Sequence, residues 1–125
     1  MTDSEKELVE KLAGKPIQRV GADLVERFVK TVRRQERAVA MLAAAEKVVA
    51  TAFGQITNVM ANIAIGKPMQ GASPNHPDER IRRFGYAERA ALIHAEAIAK
   101  HTICYIENSR ATSQLKLVGR ELAEG

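Results

Sequence analysis

Apolar residues in this chain recur at alternating steps of three and four over a long proline-free stretch. From Ala22 to Ile65 such stepping picks out Val25, Phe28, Val32, Gln35, Val39, Leu42, Glu46, Val49, Phe53, Ile56, Met60 and Ile63. Ten of these twelve positions are apolar, which is the mark of a sustained coiled-coil-like seam. The pattern predicts one helix over 22–65, about 65 Å long at the usual rise per residue. In its middle, "AMLAAAEKVVATA" puts small residues on adjoining faces, where a partner backbone can come close. Gly54, Asn58 and Asn62 weaken the last third, the place where a kink would fall.

A shorter helix is predicted before it, over about 2–14. Thr2 followed by Glu5 makes a capping-box pattern, acidic residues fill the first turn, and Leu8, Val9 and Leu12 form an apolar face. Gly14 can take the left-handed conformation that closes a helix, and Pro16 bars its continuation. The same Gly-Lys-Pro recurs at Gly66 after the long helix, and "GKPMQGASPNHP" reads as a loop over 66–76. Pro77, with Asp78 and Glu79 behind it, opens a third helix predicted over 77–122. Ile81, Phe84, Ala91, Ala95, Ile98, Thr102 and Tyr105 make its expected core face. Arg89, Glu96, Lys100 and Glu107 form a polar stripe, with Glu96 and Lys100 in the favourable i,i+4 order. The pattern blurs across "ENSRATSQ", so a break near Asn108–Ser113 stays open before Leu115, Val118 and Leu122 resume an apolar face.

Two long helices joined by a short loop must return antiparallel to bury both stripes. The expected fold is therefore all-α: one domain over 1–125, a long antiparallel helical hairpin with a short N-terminal helix. Such a hairpin leaves apolar surface that the short helix shields only in part, so dimerisation into a helical bundle is expected.

Composition narrows the chemistry. Aromatics are only 4% and Trp is absent, so the 46% apolar content is mainly Ala, Val, Leu and Ile, which suits closely packed helices. The single Cys104 excludes an intramolecular disulfide and a multi-cysteine zinc site, and it is expected to be a buried small residue. No apolar signal core opens the chain, and no segment approaches about 18 uncharged apolar residues, so a cytoplasmic protein without membrane contact is expected. The doubled Gly-Lys-Pro is not a phosphate loop: Pro follows the Lys and removes an N–H donor, and a helix is ending there rather than starting.

His94 and His101 lie seven residues apart, hence on one face but about 10 Å apart along the axis. One ion cannot bridge them, and Glu96 sits on the polar stripe, so no metal, cofactor or catalytic residue is expected. The histidines are structural, or they complete a site between subunits. Arg89 and His94 have an Arg-x4-His spacing that resembles the motif of the HEPN helical ribonuclease superfamily. The resemblance implies a nuclease in which these residues of two subunits line a dimer cleft. Ala90 stands where a polar residue commonly follows the Arg, and an unbroken helix leaves the two side chains about 140° apart.

Net charge is +4, and the basic residues cluster. Arg27, Lys30, Arg33, Arg34 and Arg37 recur at helical spacing, and an antiparallel return brings Arg110, Lys116 and Arg120 to the same end, a candidate nucleic-acid surface. Arg80, Arg82 and Arg83 form a second group, suited to an acidic protein partner. The reading favoured by the sequence is a small non-enzymatic interaction or assembly protein acting through an oligomeric bundle surface. The alternatives are a nucleic-acid-binding accessory subunit using the basic end, and a helical nuclease or metal enzyme using Arg89, His94 and His101.

Overall fold

A computed structural model of the chain describes residues 1–64 and 77–125. The expected loop 66–76, with the second Gly-Lys-Pro, lies outside the described residues, as do the side chains of Arg80 and Arg83; Arg82 is exposed. The protein is all-α. Helix α1 spans Asp3–Ala13, a short 3-10 turn spans Ile17–Arg19, α2 spans Ala22–Ala64 and α3 spans Pro77–Glu124.

Local chemistry accounts for the ends of α1. The Thr2 hydroxyl accepts from the Glu5 N–H at 3.2 Å, and the Glu5 carboxylate accepts from the Thr2 N–H at 2.9 Å. Two otherwise orphaned donors are thereby satisfied. At the other end Gly14 sits at φ 68°, and its N–H donates to the Glu10 carbonyl at 2.9 Å. Glu10 then accepts from the Ile17 N–H at 3.3 Å, tying the 3-10 turn back to α1. Helix α3 runs without interruption through Asn108–Ser113, so the break left open by the sequence is absent. Polar residues there replace apolar ones without removing any backbone hydrogen bond.

The chain divides into two compact units. The first comprises Met1–Leu42 with Cys104–Gly125. Its core joins Val9 of α1, Val20 after the 3-10 turn, Phe28 and Val32 of α2, and Val118 and Leu122 of α3. Val9, Phe28 and Leu122 are almost wholly buried, and each contributes about 1.5–3 kcal/mol of burial. Buried Thr31 satisfies its hydroxyl on the Arg27 carbonyl at 2.7 Å. Arg27 pairs with Glu121 and Arg34 with Glu107, so the α2 and α3 segments of this unit run antiparallel.

The second unit comprises Ala43–Ile103. Here Glu46 approaches His101 and Phe53 approaches His94, again an antiparallel course. The core is thin: the buried residues among those described are Ala52, Ala90 and Ala97.

The inward-facing residues correct the expected seam. On α2 one row of the seven-residue repeat is as read, with Phe28, Gln35, Leu42, Val49, Ile56 and Ile63 inward. The other holds at Val25 and Val32 and is displaced by one residue beyond them: Ala38, Ala45, Ala52 and Val59 face inward, while Val39, Glu46, Phe53 and Met60 are exposed. The correction on α3 is larger. Phe84, Ala91, Ala95, Ile98, Thr102 and Tyr105, expected in the core, are exposed, and Ala90, His94, Ala97, His101, Cys104, Asn108 and Ala111 turn inward instead. Alanine rows on both helices let the backbones approach and make dispersion contacts along their length, which a Phe in the seam would prevent.

Candidate interaction surface

The first unit holds the residues proposed for nucleic acid, and carboxylates engage four of them. Arg27 binds Glu121, Lys30 Nζ lies 2.9 Å from Glu26 Oε1, and Arg34 lies 2.8 Å from Glu107 Oε1. Arg33 grips Glu5 through Nε and a terminal nitrogen, each at 3.1 Å. That fork, with the Thr2 backbone N–H, holds the Glu5 carboxyl down to about 2, and Glu5 in turn raises the Arg33 guanidinium. Arg37, Arg110, Lys116 and Arg120 make no ion pair among the described residues.

The remaining cations do not form one track. Lys116 and Arg120 rim an apolar groove of about 470 Å³ floored by Leu8, Leu12, Phe28 and Leu115. Arg110 shares a different, more polar groove with Arg34, Ser109, Ser113 and Gln114. The structure thus brings Arg34 and Arg110 together, and Lys116 and Arg120 together, but the two pairs line separate grooves.

The histidines lie along the seam of the second unit. The His94 ring is tilted 48° to Phe53 with centroids 5.8 Å apart. His101 Nε2 stands 3.9 Å from Glu46 Oε1, too far for a hydrogen bond. No group of three His, Cys, Asp or Glu among the described residues is arranged to hold a metal ion. Arg89 is exposed while His94 is half-buried against Phe53, so the Arg-x4-His pair does not gather on one face. Cys104, in the first unit, is half-buried.

What dominates the second unit is apolar surface. From α2, Val48, Phe53 and Met60 are exposed; from α3, Phe84, Leu92, Ile93, Ile98 and Ile103 are exposed, the last at 67%. Val48 and Ile93 flank a groove of about 250 Å³ lined also by Thr51, Ala52 and Gln55. Eighteen residues of α2 reach a mean hydropathy of 1.4, long and apolar enough by composition to cross a membrane, with only 6% of that window buried. Sequence reasoning placed several of these side chains in the core. The small residues of α2 around Ala45 and Ala52 were noted in the sequence, but not their seven-residue spacing from Ala38, nor the matching Ala90 and Ala97 of α3. Compared with known proteins, the chain matches no family model, no curated protein and no solved structure.

Proposed function

We propose that this chain is a non-enzymatic helical assembly protein, a hairpin that dimerises and works through the surface of the resulting bundle. The observation that carries the reading is the inverted distribution of size in the second unit. The fully buried residues between its helices are alanines, with Val49, Ile56, Val59, Ile63, His94 and His101 half-buried beside them, while Phe53, Met60, Phe84, Leu92, Ile98 and Ile103 stand exposed. Two helices whose fully buried residues are three alanines bury too little to offset their ordering entropy. A second layer of helix over the exposed side chains supplies the missing burial, and patches of this extent on soluble proteins mark interaction sites. Glu88, Arg89, Glu96 and Lys100 stand on α3 among those apolar residues. They favour a protein partner over lipid, where each charge would be costly.

The paired basic side chains favour assembly over nucleic-acid binding, since a guanidinium held by a carboxylate has less to offer a phosphate. Analytical ultracentrifugation of the purified chain at micromolar concentration tests the proposal. A dimer is expected, and a monomer throughout the range removes the reading.

A further inference from the structure

Resting on that reading, we infer which face the second copy covers: α3 packs against α3 of another copy, antiparallel, about a two-fold axis at the level of Ile98. Around α3 from its seam, by about 100° at 3.5 residues per turn, lies a second stripe built from two rows of the same seven-residue repeat. One row is Arg89, Glu96 and Ile103; the other is Ile93 and Lys100. All five are exposed, and Arg89, Glu96 and Lys100 make no ion pair among the described residues.

An antiparallel two-fold pairs residues equally distant in number from 98. Glu96 then faces Lys100 of the second copy, and Ile93 faces Ile103, each contact occurring twice. Neighbouring registers fail. Sliding the copies by one heptad one way sets Arg89 against Lys100, and the other way sets Lys100 against Ile103. Charge therefore selects one alignment of an otherwise permissive stripe. The stripe with Ala91, Ala95, Ile98 and Thr102 is also uncovered, but over 84–105 its one charge, Glu88, has no cation in the stripe to pair with and so selects no register.

Helix α2 agrees with this axis. The Glu46–His101 and Phe53–His94 contacts put Val49 level with Ile98, so the axis passes near Val48 and Thr51, which line the groove beside Ile93. A turn of about 100° between the seam and the second stripe is the corner angle of a four-helix bundle, where each helix meets two neighbours. The second copy's α3 occupies that corner.

The test is sedimentation equilibrium of the full chain as wild type, Glu96→Lys, Lys100→Glu and the double exchange, with circular dichroism confirming that helix is retained. Each single reversal places like charges together twice and is expected to weaken self-association at least about tenfold. The double exchange restores opposite charges and is expected to return the dissociation constant to within about threefold of wild type. Single reversals without effect on a dimer, or a double exchange as weak as the singles, overturn this interface and leave self-association standing. A wild-type chain that is monomeric removes both.

Discussion

Glu5 shows how much a single side chain does at the start of this fold. It completes the cap of α1 through Thr2 and anchors that helix to α2 through the Arg33 fork. Its carboxyl titrates at about 2 in the folded chain, against an unperturbed value of about 4.3. A depressed folded value means that the stabilisation is complete above the unfolded pKa and is lost as pH falls towards the folded one. Docking of α1 is therefore expected to weaken between about pH 4.5 and pH 2, read by protease accessibility of the α1 segment, and Glu5→Gln should flatten that acid-dependent step. Leu122, at 1% exposure, reports on the core below. Leu122→Ala should cost about 2–5 kcal/mol in urea unfolding, the range for a buried leucine whose site cannot fully collapse. A cost below about 1 kcal/mol would mean that the core of the first unit is not closed.

For the helices as elements, the question is which residues face inward. The existence of α1, α2 and α3 was readable because caps, prolines and the three-four spacing are local properties. The inward stripe was readable where large residues form it, at Phe28, Val32, Val118 and Leu122, but not along the alanine rows, because alanine counts for little on any hydrophobic scale. Hydrophobicity therefore favoured Phe53 over Ala52 and Ile98 over Ala97. Close approach of two backbones favours the alanines, and that is a property of the pair, absent from either helix alone. The basic residues were legible as a cluster, yet their carboxylate partners at Glu5, Glu107 and Glu121 come from distant parts of the chain. Ala52→Leu should destabilise the protein by about 1–3 kcal/mol through overpacking. Phe53→Leu, one residue away on the exposed side, should change stability by less than about 0.5 kcal/mol. Thermal or urea melts of the two variants side by side distinguish the seam described above from the one hydrophobicity favours, which predicts the reverse order.

For the molecule as a whole, the two units differ in how they are built. The first gathers three helices and a turn around Val9, Phe28 and Leu122; the second has two helix segments and an alanine core. On the proposed reading, association completes a unit of the second kind, with Ile93 and Ile103 of α3 among the exposed apolar residues that it covers. On the proposed reading nucleic-acid binding is subordinate, because Arg27, Lys30, Arg33 and Arg34 already have carboxylate partners. The most direct test is the mass of the chain in solution. Sedimentation equilibrium from low to high micromolar concentration should give twice the 13.7 kDa of one chain. A single species of 13.7 kDa across that range would contradict the account.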